Sequence, residues 1–190
     1  MRIIAGQSKG MRLVAPEGRE VRPTSDLMRG AIMSSLGGHF DGERVLDVCA
    51  GTGAIALEFL SRGCGSAVAI EADPAALAVL GRNAEHVRQN SKLRVMALDA
   101  LKALRLLATE GQVFDFVYVD PPYDAGLAEP ILQALLDGAL LSPGALVLVE
   151  TRKGIAGLSE KGWHVLAERR YGSSVLLRLE HLHSKELESL

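Results

Sequence analysis

The sequence predicts an α/β fold: a mostly parallel sheet with helices on both faces, a C-terminal antiparallel hairpin, and a small N-terminal hairpin-and-helix appendage. Three observations lead there. From Arg44 onward, short apolar runs alternate with longer helical stretches, the pattern of strand–helix units in a parallel sheet. The first run ends in a glycine turn, Ala50-Gly51-Thr52-Gly53. The fourth ends in Asp120-Pro121-Pro122-Tyr123, and two successive prolines, lacking N–H groups, cannot continue a central strand.

The elements follow in order. Arg2–Ala5 and Arg12–Val14 pair as a small hairpin. Thr24 or Ser25 caps a helix running to about Leu36 and closed by Gly37-Gly38. Strands are expected at 44–49, 66–71, 93–97, 113–119 and 144–150, with helices near 54–62, 74–89, 99–109 and 126–138. Leu141-Ser142-Pro143-Gly144 is a turn ahead of the fifth strand. Segments 162–169 and 173–180, joined through Tyr171-Gly172, form the terminal hairpin.

With 190 residues, 48% of them apolar, the chain has material for one sizeable core, and a single domain is expected over 1–190. The net charge of −2 does not announce a nucleic-acid partner, but the charge is uneven. Residues 1–30 carry Arg2, Lys9, Arg12, Arg19, Arg22 and Arg29 against Glu17, Glu20 and Asp26, a locally basic segment. Cys49 and Cys64 have no metal-ligand spacing, so reduced thiols and no metal are expected. No apolar run approaches the roughly 18–20 residues that span a bilayer. The N-terminus lacks signal-peptide architecture, and a cytoplasmic protein with no membrane partner is expected.

Val45-Leu46-Asp47-Val48-Cys49-Ala50-Gly51-Thr52-Gly53-Ala54 reads as strand, turn and helix start. Such a glycine turn lets a ligand approach the backbone closely, though it also serves simply to join a strand to a helix. Glu71 ends the second strand 20 residues after Gly51, where a carboxylate accepts from ribose hydroxyls. This suits either a nicotinamide dinucleotide or S-adenosylmethionine. Asp47 separates them: an acid near the turn repels a pyrophosphate but favours an ammonium and a sulfonium. Asp99 follows the third strand, placed equally well to accept from an adenine amino group or to cap the next helix.

These motifs resemble the class I S-adenosylmethionine-dependent methyltransferases that modify exocyclic amino groups, whose hallmark is (Asn/Asp)-Pro-Pro-(Tyr/Phe). Within them the chain is similar to the bacterial 16S rRNA (guanine-N2)-methyltransferase family, the RsmD family. The likeness extends over nearly the whole chain. It includes Met1-Arg2-Ile3-Ile4-Ala5-Gly6, Leu13-Val14-Ala15-Pro16, Arg22-Pro23-Thr24-Ser25-Asp26-Leu27-Met28-Arg29, Glu71-Ala72-Asp73 and Arg170-Tyr171-Gly172. Gly30 stands where an acid is expected, and Cys49 where an aromatic is more usual.

The resemblance implies a Rossmann-like class I methyltransferase sheet, with 41–182 as catalytic core and 1–40 as an appendage that binds RNA and covers the cofactor. It implies that Thr24 and Arg29 lie near S-adenosylmethionine, whose product is S-adenosylhomocysteine. The expected cofactor set is completed by Asp47, Ala50, Gly51, Thr52, Gly53, Glu71, Ala72, Asp99 and Ala100. The expected catalytic group is Asp120, Pro121, Pro122 and Tyr123: the Asp120 carboxylate and the Pro121 carbonyl accept the two N–H groups of the target amine, and Tyr123 stacks on the base. Lys9, Arg12, Arg22, Arg152 and Arg170 are the expected RNA contacts. The partner is 16S rRNA, within the small ribosomal subunit or an assembly intermediate, and the enzyme is expected to be a monomer. Three rival readings stand beside this one: an adenine-N6 methyltransferase acting on DNA or another RNA, a nicotinamide-dependent oxidoreductase, and a catalytically silent RNA-binding assembly protein.

Overall fold

A computed structural model describes residues 1–15, 26–122 and 125–181. Among the described residues the strands run β3-β2-β1 in one compact unit, Met1–Ala100, and β4-β5-β7-β6 in the other, Leu101–Leu190.

In the first unit, β1 (Arg44–Val48) pairs in parallel with β2 (Ser66–Glu71), and β2 with β3 (Leu93–Ala97). Nearly every residue of β1 and β2 is buried, which is why both read as continuous apolar runs rather than alternating ones. Between β1 and β2 lies α2 (Ala54–Ser61), with all eight residues buried, the signature of a helix covered all round. The N-terminal segment supplies part of that cover. Gln7 N donates to Ser61 O at 2.7 Å, Ser8 N to Ser61 Oγ at 3.0 Å, and Ser61 Oγ to Ala5 O at 2.7 Å. Gly6 permits the approach: a Cβ there would sit 1.8 Å from Ser61 O.

The expected N-terminal hairpin is present as a single antiparallel bridge, Arg2 with Arg12, flanked by Ile3 N→Met11 O and Leu13 N→Met1 O. Helix α1 (Asp26–Ser35) ends as expected at Gly37-Gly38. Gly38 N reaches Met33 O, Gly37 N reaches Ser34 O, and Gly37 has φ +93, which together make a Schellman motif. The expected caps Thr24 and Ser25 lie outside the described residues. Helix α3 (Pro74–His86) stops before the expected 89 because Arg88 takes a left-handed φ of +56 and Gln89 N turns back to Ala84 O.

Helix α4 (Ala100–Thr109) leads into the second unit. There β4 (Phe114–Val119) pairs in parallel with β5 (Leu141–Thr151). The strand β5 begins at Leu141, earlier than expected, and absorbs the Ser142-Pro143-Gly144 turn as an irregularity: its partners jump from Phe114↔Leu141 to Phe116↔Leu146. Pro143 therefore sits where no ladder N–H is needed. Helix α5 (Ala128–Asp137) joins β4 to β5. Strands β6 (Trp163–Tyr171) and β7 (Ser174–His181) form the antiparallel hairpin through Gly172-Ser173, and β7 pairs antiparallel with β5. Among the described residues no helix is long and apolar enough to cross a membrane.

Candidate active site

The first unit gathers two carboxylates around the glycine turn. At the end of β1 the chain enters an uncommon conformation: Cys49 has φ +63, Gly51 φ +55 and Gly53 φ +75. Ala50 N donates to Ile70 O at 2.9 Å and Gly53 N to Ala50 O at 2.8 Å, closing the turn against β2. Gly53 then occupies the N-cap of α2 without a side-chain cap. Asp47 does that work from a distance, its Oδ2 accepting the Ala56 N–H at 3.0 Å. Asp47 is 1% exposed, and burial raises its carboxyl to about 7, against the lowering effect of the Ala56 bond and with a further push from Glu71.

Glu71 reaches the same turn from β2. Its Oε2 accepts the Gly51 N–H at 2.7 Å, and its Oε1 accepts the Ala72 and Asp73 N–H groups, each at 2.8 Å. Asp73, the next acid, is the N-cap of α3 and accepts from Ala75 N at 2.9 Å. Above Gly51 is open space: an added Cβ would meet nothing within 4 Å. The turn therefore offers an uncovered backbone face beside two acids, a cradle suited to a cation-bearing ligand. Asp99 is exposed at the entrance to α4, and the neighbouring Ala100 is buried.

In the second unit, Asp120, Pro121 and Pro122 leave β4 at its carboxyl end, where ligands bind in open α/β sheets. Pro121 and Pro122 line a cavity of about 430 Å³ with Leu127, Glu150, Arg152 and Lys153. Glu150, the penultimate residue of β5, is buried and accepts from the Tyr118 hydroxyl at 2.8 Å.

The family model described as Conserved hypothetical protein 95 matches residues 1–180. Ribosomal RNA small subunit methyltransferase D of Escherichia coli (strain K12) is 34% identical over 151 residues, covering 80% of this chain and 74% of that protein. This chain belongs to that family, the RsmD family. The protein of the same name from Haemophilus influenzae is 30% identical over 173 residues, 90% of this chain and 89% of its own. The solved structure of yhhF from Escherichia coli superposes with a TM-score of 0.84 at 32% identity, over 96% of this chain and 98% of that one. The sheet is thus that of the class I methyltransferases, as the sequence suggested.

In this RsmD-family chain the remaining expected residues are scattered. Thr24, Arg22 and Tyr123 lie outside the described residues. Thr52 is buried, its carbonyl accepting from Asn83 Nδ2 at 3.0 Å. Arg29 is fully buried, donating to Asp26 Oδ1 at 3.0 Å and to the Arg2 carbonyl, with its Nε 4.0 Å from Glu58. Its Nε and Nη1 make no hydrogen bond among the described residues. Lys9, Arg12, Arg152 and Arg170 are exposed. Among the described residues no cluster of three or more His, Cys, Asp or Glu is placed to hold a metal.

Sequence reasoning missed three polar residues that support the site. Buried Glu58 accepts Ile4 N at 2.8 Å, Ala5 N at 3.1 Å and Arg62 Nε at 2.8 Å, fastening the N-terminal segment to α2. Buried Asn83 joins Val14, through its N–H at 2.8 Å and its carbonyl at 3.1 Å, to the glycine turn. Glu150 is the third. The available signal for Glu58 was an acid in an otherwise apolar helix, Ala54-Ile55-Ala56-Leu57-Glu58-Phe59-Leu60.

Proposed function

We propose that this chain transfers a methyl group from S-adenosylmethionine to the exocyclic N2 of a specific guanine in 16S rRNA of the small ribosomal subunit. One observation carries the choice of cofactor: Glu71 Oε2 already holds the Gly51 N–H, and Asp47 lies buried behind the same turn. A dinucleotide would need that amide for its pyrophosphate and would meet the Asp47 acid behind it. A ligand bearing an ammonium and a sulfonium meets the same acids favourably. This argues against the oxidoreductase reading.

Asp47, Ala50, Gly51, Thr52, Gly53, Glu71, Ala72, Asp99 and Ala100 would hold the cofactor, with Thr24 and Arg29 added by family resemblance. When bound, S-adenosylmethionine supplies an electrophilic methyl group on a sulfonium leaving group. The chain's own residues prepare the nucleophile. Asp120 carboxylate and Pro121 carbonyl accept the two N2–H groups, which favours a pyramidal nitrogen with its lone pair available. As the N–C bond forms, positive charge grows on that nitrogen, and the adjacent carboxylate stabilises it. One N–H proton then leaves, giving the secondary amine, and S-adenosylhomocysteine remains as the coproduct. Tyr123 would stack on the base, a contact worth on the order of 1–3 kcal/mol. The base must be out of its helical stack to reach this edge. Lys9, Arg12, Arg22, Arg152 and Arg170 would bind phosphates, each contributing to affinity that falls with salt.

The test is incorporation of labelled methyl from S-adenosylmethionine into small subunits lacking the modification, followed by nucleoside identification, with Asp120→Ala alongside. N2-methylguanosine at one site, lost in the variant while S-adenosylhomocysteine still binds, is the expected result. Turnover near wild type in Asp120→Ala would remove the assigned role. A methylated adenosine product would overturn the substrate.

A further inference from the structure

Glu150 has no part in the chemistry above, yet it is a carboxylate 6% exposed that lines the cavity shared with Pro121 and Pro122. Burying a carboxylate is costly unless donors meet it. Tyr118, itself 2% exposed, donates to Glu150 Oε2 at 2.8 Å and fixes the direction of the carboxylate. The β4–β5 register ends at Val119↔Val149, and Asp120 and Glu150 are the residues that follow that last pair. Each carboxylate thus directly follows the last β4–β5 pair, Asp120 next to the prolines and Glu150 steadied by a tyrosine. Arg152 and Lys153 line the same cavity.

We propose that Glu150, aimed by Tyr118, selects guanine over adenine by accepting the N1–H of the target base. The inference rests on the guanine-N2 reading of the site. In guanine the 2-amino group that Asp120 would hold is flanked by N1–H, a donor, and beyond it by O6, an acceptor. The Glu150 carboxylate meets that donor, and the Lys153 cation meets O6. In adenine the 6-amino group is flanked by N1 on one side and N7 on the other, and both are acceptors. Whichever way adenine turns, it sets a lone pair against Glu150. A carboxylate accepts about four hydrogen bonds, so it can take N1–H and keep the tyrosine.

The test uses small subunits reconstituted around rRNA in which the methylated guanosine is replaced by 2-aminopurine riboside. That base keeps the 2-amino group but carries an acceptor at N1. Wild-type enzyme is expected to show kcat/KM lower on the 2-aminopurine subunits by on the order of 100-fold. Glu150→Gln is expected to slow guanosine methylation by about 10–100-fold and to narrow the gap between the two bases, because its amide NH2 can turn to donate to N1. Tyr118→Phe, which removes only the hydroxyl, is expected to narrow the gap by a few-fold and carries the test should Glu150→Gln not fold. A purely structural glutamate would slow both substrates alike and leave their ratio fixed. Equal turnover of both bases by wild type, or an unchanged ratio in both variants, overturns the inference while leaving the guanine-N2 reading intact. Absence of guanosine methylation by wild type would overturn that underlying reading.

Discussion

Glu71 Oε2 accepts the Gly51 N–H at 2.7 Å, so the acid that ends β2 also sets the conformation of the turn that follows β1. The other oxygen holds the two amides that lead into α3. One carboxylate thus orders the glycine turn and the loop beside it before any ligand arrives. Glu71→Gln has a single acceptor oxygen and must release one of these sets. It is expected to lose about 1.5–3 kcal/mol of stability, the worth of hydrogen bonds to a charged group, and to bind S-adenosylhomocysteine at least about tenfold more weakly. Calorimetric titration checks the second; unchanged affinity would take Glu71 out of the cofactor site.

Asp47 makes cofactor binding depend on pH. Its carboxyl sits at about 7 in the fold, raised from an ordinary 3.8 chiefly by burial. Below both values the folded and unfolded chains each hold the proton, and Asp47 contributes no pH dependence. As pH rises between them, the unfolded chain releases its proton first, so this residue lowers stability progressively until about 7 and then levels off. Bound cationic charge favours the ionised form. Affinity for S-adenosylmethionine is therefore expected to rise with pH through 7 and binding to release protons, measured by titration in buffers of different ionisation enthalpy. Asp47→Asn is expected to flatten both profiles. An affinity constant from pH 6 to 8 in the wild type would contradict this coupling.

Glu58 is the anchor of the N-terminal segment. It lies fully buried with Arg62 Nε at 2.8 Å, Arg29 Nε at 4.0 Å and two backbone donors. Removing one member of a buried charge group strands the others. Glu58→Ala is expected to cost about 3–5 kcal/mol in urea unfolding. The N-terminal segment should exchange its amide hydrogens faster, since Ile4 and Ala5 lose their acceptor. A loss under about 1 kcal/mol would mean that water replaces the carboxylate.

The parallel core was legible because β1 and β2 are largely buried and spell themselves out as apolar runs. The end of β4 just before Asp120 was legible because two prolines follow it. The full burial of α2 was not, since Glu58 and Ser61 look like solvent-facing residues until the N-terminal segment is laid over them. The start of β5 was misplaced because Ser142-Pro143-Gly144 carries a turn signal that the sheet accommodates as an irregularity between Phe114 and Phe116. The Tyr118–Glu150 pair depends on the register between two strands more than 20 residues apart, which no local pattern encodes.

Two glycines separate architecture from binding. A Cβ on Gly6 would lie 1.8 Å from Ser61 O, a backbone atom that cannot turn aside, so Gly6→Ala must lift the N-terminal segment from α2. It is expected to cost more than about 2 kcal/mol, as a steric and backbone-strain mutation does. Gly51→Ala meets nothing within 4 Å, and its φ of +55 costs a left-handed alanine only about 1–2 kcal/mol. The added methyl, however, fills the open face beside Asp47 and Glu71. Gly51→Ala is therefore expected to melt within a few degrees of wild type and to bind S-adenosylhomocysteine far more weakly. Gly6→Ala is expected to melt lower. If Gly51→Ala binds normally, the cofactor lies elsewhere than over the glycine turn.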